Sequence, residues 1–321
     1  MTKTENPTVI DDPKSMIMAE IKKFSDIFNV DGPLKTMKGG RMKIHLKDGP
    51  KKVTHIYNPR KCPYAFEDQA KAELDKNEEL GIIEKVDGVS EWCSPMSFVR
   101  KPNGGCRSVV DLKGLNDYVQ RPTHPFPTVK NIVSSIPVGT KRFAVFDCKH
   151  GYWQIELDDE SKPLTTFLTE FGRYQYKRAP MGLNSSGDEF CKRTDLAMEN
   201  IPGVKKLVDD ILIYGKDDHE LLERIIQVFK RCREWGITLS EKKYQYGPEV
   251  KFAGFILNEF GTKPDPEKVA AIKEFPPPRD LTNLKSWMGL TNQFTDYAPD
   301  LKQAMVPLQG LLSKKECFHL D

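Results

Sequence analysis

The stretch KLVDDILIYG, residues 206–215, sets two adjacent carboxylates, Asp209 and Asp210, between Leu207 and Val208 on one side and Ile211, Leu212 and Ile213 on the other. Apolar runs this rich in branched side chains read as sheet interior. Two ionised carboxylates about 4 Å apart repel by about 4 kcal/mol at an effective dielectric of about 20. They stay ionised only beside a cation, or one of them takes up a proton. A strand pair folded at the acids, with both at the tip of a tight hairpin, would hold them near a metal. The other Asp-Asp pairs have ordinary explanations: Asp11-Asp12 lies in a polar start, Asp158-Asp159 in a turn, and Asp217-Asp218 at a helix opening.

A second strand ends in the same way. Phe143-Ala144-Val145-Phe146-Asp147 places one acid after four apolar residues, 62 positions before Asp209. If the two strands lie side by side, Asp147 and Asp209 meet at one edge of a sheet. Carboxylates with open positions beside them suit two Mg²⁺ ions, or Mn²⁺, together with phosphate oxygens, which is the arrangement of phosphoryl transfer.

Outward from these strands the pattern is α+β. Residues 66–80 predict an exposed helix that Gly81 ends. Residues 94–113 predict two strands around Asn103-Gly104-Gly105, a strong hairpin signal. Prolines 122, 125 and 127 mark an extended linker, after which Thr128 caps a short helix with Val129, Ile132, Val133 and Ile136 on its apolar face. Strands are expected at 41–46, 152–157, 165–168, 174–176 and 251–257. Ser186 with Glu189 reads as a capping box opening a helix to about Asn200. Asp217 with Glu220 opens another, with Leu222, Ile225, Ile226, Phe229 and Cys232 on one face and Gly236 as its stop. Beyond Pro264 only helices are expected, at 266–274 and 281–297. Ile21, Phe24 and Phe28 mark one helix in a polar lead-in.

Composition narrows the function classes. The 321 residues suggest two or three units. Seventeen Phe, ten Tyr and four Trp suffice for cores and exclude wholesale disorder. The net charge of +3 requires any nucleic-acid surface to be local. No apolar run is long enough to span a membrane, and Asp11-Asp12-Pro13 interrupts any signal-peptide core, so an intracellular protein, cytoplasmic or nuclear and not secreted, is expected. Seven scattered Cys without a CxxC pair argue against a disulfide framework or structural zinc.

The order of motifs carries a resemblance. FDCKHGYWQIELDDESKPLTTFLTEFGRYQYKRAPMGLNSSGDEF at 146–190, followed by KLVDDILIYG, closely resembles the reverse transcriptase domain of gypsy-type (Metaviridae) LTR retrotransposon Pol polyproteins. SPMSFVRKPNGGCRSVVDLKGLN at 94–116 resembles its fingers hairpin, GITLSEKKYQYGPEVKFAGFIL at 236–257 its last palm motifs, and KPDPEKVAAIKEFPPPRDLTNLKSWMGLTNQF at 263–294 its thumb. The resemblance covers most of the chain, from about Phe24 to Lys315. It implies a right-hand polymerase: a lead-in at 1–30, fingers at 31–124 and 155–185, a palm with an antiparallel ferredoxin-like sheet at 125–154 and 186–262, a thumb at 263–315 and a tail at 316–321. It also implies RNA-directed DNA polymerisation on an RNA or DNA template with a primer and dNTPs.

By the same resemblance, Asp147, Asp209 and Asp210 are the metal-binding and catalytic acids, and Lys243 protonates the leaving pyrophosphate, with Lys242 adjacent as the competing choice. Lys101 and Arg107 clamp the triphosphate, Tyr152 is the aromatic gate under the sugar, and Met181 and Gly182 lie beside the nucleotide. Phe252, Ala253 and Gly254 grip the primer, while Gly289 and Asn292 track the duplex. Three positions depart from the pattern: Leu207 replaces the usual Tyr, Ser186-Gly187-Asp188 replaces an Ala-Pro-Ala-like run, and Gln293 replaces an aromatic. No second acidic set is left over, so polymerisation without protease, ribonuclease H or integrase is expected. The partners implied are other parts of a Gag-Pol polyprotein, with dimerisation left open and a virus-like particle as one setting. The alternatives are a silent relic that grips RNA–DNA duplex and, more remotely, a two-metal nuclease or phosphatase.

Overall fold

The structure, a computed structural model, describes residues 12–28, 34–49, 51–100, 104–295 and 297–312. The first half of the chain runs α1 (Pro13–Lys23), α2 (Glu67–Glu79), β1 (Ile83–Lys85), β2 (Ser94–Arg100), β3 (Cys106–Val110), α3 (Lys113–Asn116), α4 (Val129–Ser134), β4 (Arg142–Asp147), β5 (Phe167–Thr169) and β6 (Gly172–Tyr176). The second half runs α5 (Asn184–Met198), β7 (Val204–Leu207), β8 (Asp210–Gly215), α6 (Asp218–Trp235), β9 (Gln245–Gly247), β10 (Val250–Phe252), β11 (Phe255–Asn258), β12 (Gly261–Pro264), α7 (Pro266–Lys273), α8 (Leu281–Asn292) and α9 (Pro299–Gly310).

The strands form three sheets, ordered β1-β6-β5-β2-β3, β7-β8-β4-β9 and β10-β11-β12. The four-stranded sheet is antiparallel throughout, with β4 in its interior between β8 and β9. Its two faces pack into different cores. Phe146, Ile211 and Ile213 belong to the large core with α5 and α6, whereas Phe143, Val145, Leu212 and Tyr214 face a smaller one with Ile132, Val250 and Phe252. Strand alternation produces this division directly.

Helix α6 follows its sequence signals. Asp217 accepts the Glu220 amide at 2.9 Å, Glu220 accepts the Lys216 amide at 2.7 Å, and Gly236 at φ +69 ends the helix. Its buried stripe is Leu221, Ile225, Val228, Phe229 and Cys232, so Leu222 and Ile226 lie at the margin. Phe229 packs edge-on to Phe146 at 5.1 Å and to Phe28 at 5.1 Å, and Phe24 lies 5.6 Å away. The lead-in helix is therefore part of the main core.

Several expectations are corrected. Residues 41–46 form no strand: Met42 bridges Leu157 and Leu46 bridges Val119, so the segment is shared between two partners. Residues 152–157 form no strand either. His150 turns left-handed at φ +60, Gly151–Gln154 coils into a 3₁₀ turn, and the buried Gln154 amide bonds Thr238 in both directions. Helix α5 starts two residues before the expected capping box. Asn116 Oδ1 accepts the Asn184 amide, and Asp188 pairs with Arg121. The run 251–257 is two strands, folded at Ala253-Gly254. Helix α8 stops at Asn292, and α9 follows where the sequence pattern predicts no helix. Among the described residues no helix is long and apolar enough to cross a membrane.

Candidate active site

The acids meet because two strands pair in one register. Strands β4 and β8 run antiparallel from Arg142↔Gly215 to Asp147↔Asp210, so these two carboxylates are direct cross-strand neighbours. Leu207 also pairs with Asp210, which leaves Val208 and Asp209 as a two-residue turn. Val208 sits at φ +53, a left-handed conformation that costs a β-branched residue about 1–3 kcal/mol. The Asp209 carbonyl accepts the Cys148 amide at 2.8 Å, stitching the turn to the residue after Asp147. The expected hairpin with its acids at the tip is therefore present, and Asp147 joins them.

Negative charge accumulates here. Burial, then Asp209, then Asp147 push the Asp210 carboxyl up to about 6, and Lys243 pulls the other way. The Lys243 ammonium lies 3.3 Å from both Asp147 oxygens. The structure thus brings Lys243, of the two adjacent lysines, to the acids. The Ser240 amide binds the Asp147 carbonyl at 2.8 Å and holds the segment before that lysine in place. Among the described residues no three Asp, Glu, His or Cys side chains converge tightly enough to enclose an ion by themselves. The donor set nevertheless fits a hard cation: all three side chains are carboxylates, and burial beside Asp209 and Asp147 makes Asp210 resist ionising.

Tyr152 lies in the 3₁₀ turn after Asp147 and rests on α5. Its ring meets Phe190 edge-on at 5.6 Å, and a methyl built on Gly187 would lie 3.6 Å from its hydroxyl oxygen. Burial, with nearby Cys191 and Asp209, pushes the Tyr152 phenol up. Arg107, Met181 and Gly182 line a common cleft of about 470 Å³ with Lys76, His150 and Trp153. Asn116 fastens its rim, donating to the Gly182 carbonyl at 2.8 Å while capping α5. Lys101 lies outside the described residues.

The remaining expected residues sit on β10, on the β10–β11 turn and on α8. Ala253 and Gly254 form the β10–β11 turn, at φ +52 and +81. Phe252 corrects its assignment: it is 1% exposed and packs in the smaller core, so its side chain offers no surface to a primer. Gly289 and Asn292 are both exposed, one turn apart on α8. Sequence reasoning missed Lys76, His150 and Trp153 in the cleft, and Asn116, which holds Gly182. None carries a local signal except His150, whose place just before Gly151 marks the turn.

Comparison with known proteins gives this geometry a context. Residues 99–257 match the family described as reverse transcriptase (RNA-dependent DNA polymerase). The enzymatic polyprotein of cauliflower mosaic virus (strain Strasbourg) is 30% identical over 292 residues, covering 88% of this chain and 42% of that protein. The retrovirus-related Pol polyprotein from transposon 412 of Drosophila melanogaster is 26% identical over 291 residues, covering 88% of this chain and 23% of that protein. The chain thus spans less than half the length of these curated relatives. In fold it is similar to the foamy viral protease-reverse transcriptase dRH in complex with double-stranded DNA, at a TM-score of 0.86 and 23% identity, covering 98% of this chain and 55% of that one. The α+β right-hand polymerase architecture follows from that likeness.

Proposed function

We propose that this chain carries a reverse transcriptase domain like those of retroelement Pol polyproteins, and that it extends a DNA or RNA primer on an RNA or DNA template at Asp147, Asp209 and Asp210. The observation that supports the site most directly is the Asp147↔Asp210 register beside the Val208-Asp209 turn. These three acids would hold two Mg²⁺ ions, or Mn²⁺, which when bound supply charge neutralisation at the reacting phosphate and acidify the primer 3′-hydroxyl.

The chain's own groups do the rest. The primer 3′-oxygen attacks the α-phosphorus of a dNTP in line with the departing pyrophosphate, and most of the catalysis is alignment and charge. Lys243, beside Asp147, is positioned to hand a proton to the pyrophosphate oxygen. Arg107, with Lys101, draws the triphosphate into the cleft as a bidentate donor. Met181 and the held Gly182 carbonyl form the cleft's side next to the base. Tyr152, braced by Phe190, closes the space a 2′-hydroxyl would need. Ala253 and Gly254 meet the primer strand, and Gly289 and Asn292 present an open helix face to the duplex. Template pairing supplies sequence, and phosphate contacts supply salt-dependent affinity. In the same reading the domain serves a gypsy-type LTR element within a longer polyprotein, inside the cell.

Primer extension tests this. Purified chain with an RNA template, DNA primer, dNTPs and Mg²⁺ should produce full-length DNA, and Asp209→Asn should not. Tight duplex binding without extension by the wild type would replace the polymerase reading with that of a duplex-gripping relic.

A further inference from the structure

Lys206 places a charge where the fold least accommodates one. Its side chain is 5% exposed, on β7, three residues before Asp209. Lysine is almost never buried to this degree unless paired. Its ammonium lies 3.1 Å from Asp195 Oδ1 and, close by, draws the Cys191 thiol down against the effect of burial. Both partners are on α5. The other Asp195 oxygen meets His124 Nε2 at 2.5 Å, so the carboxylate is held from two sides.

The two elements joined by this ion pair carry different parts of the candidate site. Helix α5 is the bed of Tyr152, through Phe190 and Gly187. Strand β7 leads through the strained Val208 to Asp209. Between them an apolar contact would tolerate sliding, whereas a buried ammonium bonded to one carboxylate has a fixed length and direction. Removing Asp195 would leave the buried ammonium without its carboxylate, so the tie resists rearrangement.

We propose that Lys206 is a positioning residue: its bond to Asp195 fixes helix α5 against the β7–β8 turn and so sets the distance between the Tyr152 ring and Asp209, which governs both extension rate and the choice of deoxyribose over ribose. This rests on the polymerase reading above. A residue that only stabilised the fold would change how much protein is folded, not how the folded protein discriminates between sugars.

The test compares Lys206→Met, which keeps the stem and removes the charge, with Lys206→Arg, which keeps the charge. Lys206→Met should lower kcat about tenfold and the dNTP-over-rNTP ratio of kcat/KM about fivefold, while the Kd for primer–template stays within about twofold. Lys206→Arg should recover most of the discrimination. Amide exchange of residues 204–212 should quicken about tenfold in Lys206→Met. Wild-type discrimination in Lys206→Met overturns the proposal, and so does a loss of kcat that follows only the unfolded fraction with exchange at 204–212 unchanged. If Lys206→Met does not fold, Asp195→Asn, at a half-exposed position, reads the same quantities: lost discrimination with faster exchange supports the tie, and wild-type values overturn it. Failure of the wild type to extend any primer would instead overturn the polymerase reading, while the exchange measurement still tests the tie.

Discussion

Two hairpins, an inner one in the four-stranded sheet and an outer one in the three-stranded sheet, turn on two residues each, and each puts a residue other than glycine in the left-handed region: Val208 at φ +53 and Ala253 at φ +52. The outer hairpin then adds Gly254 at φ +81, giving the pair of positive φ angles that matches strand twist at little cost. The inner turn has no glycine. It uses a β-branched residue and then Asp209, whose carbonyl is bound from β4's continuation. The outer turn is shaped for economy of backbone, the inner one for where a carboxylate must stand. Strain at the inner turn is held from two sides: by the Cys148 amide after β4 and, through Lys206, by α5.

That contrast can be broken or sharpened in order of effect. Asp209→Asn should lower extension by more than about a thousandfold while leaving the Kd for duplex nearly unchanged, whereas Gly254→Ala in the other turn should cost only a few-fold. Equal losses in a steady-state extension assay would erase the distinction. Tyr152→Val should raise ribonucleotide incorporation about a hundredfold, measured as the ratio of kcat/KM for dNTP and rNTP. An unchanged ratio would remove the gate from the inner turn's surroundings.

Stability effects come next. Asp188, whose side chain is fully buried, is held below its usual carboxylate range first by the Arg121 guanidinium, at 2.8 and 2.9 Å. A depressed carboxylate contributes stability above its unfolded value, and that contribution is lost as pH falls through the folded value. Asp188→Asn should therefore cost about 2 kcal/mol at pH 7, less than a fully buried pair because Arg121 is half exposed, and the gap to wild type should close below about pH 4. Calorimetric melting against pH checks both. The smallest effects are in the turns themselves. Gly254→Ala should cost about 1 kcal/mol for its positive φ, with Lys268 swinging away from the new methyl. Val208→Gly should lie within about 1 kcal/mol of wild type, relief of strain offsetting lost packing and added chain freedom. Urea midpoints would rank the two, and a large loss from Val208→Gly would mean that its side chain matters more than its backbone.

What the sequence made legible follows the range of the forces involved. The acids and their strands could be read because five apolar neighbours around Asp209-Asp210 and four before Asp147 announce burial locally. Helix α6 was readable because Asp217, Glu220 and Gly236 are all its own caps. The stretch after Asp147 was not. Tyr152–Leu157 alternates like a strand, yet the left-handed His150 and the Gln154–Thr238 bonds, across 84 positions, coil it instead. The capping box at Ser186 failed for the same kind of reason, since a side chain 68 positions away caps α5 and Asp188 turns to Arg121. Phe252 looked like part of a gripping surface, but only its register opposite Phe255 shows that it points into the core. Lys206 could be read from sequence only as one more charge on a strand.

The aromatic cluster of Phe24, Phe28, Phe146 and Phe229 bears on how the molecule can be divided. The stretch that matches the reverse transcriptase family begins at residue 99, yet the Ile27 carbonyl binds the Leu239 amide, and the next residue's amide binds the carbonyl of Asp147. A segment outside the matched stretch is thus a buttress for an acid inside it. A fragment trimmed to residues 99–257 would keep every acid and lose the wall behind them. The stretch that matches the family is shorter than the packed unit, and an expression fragment should follow the packing.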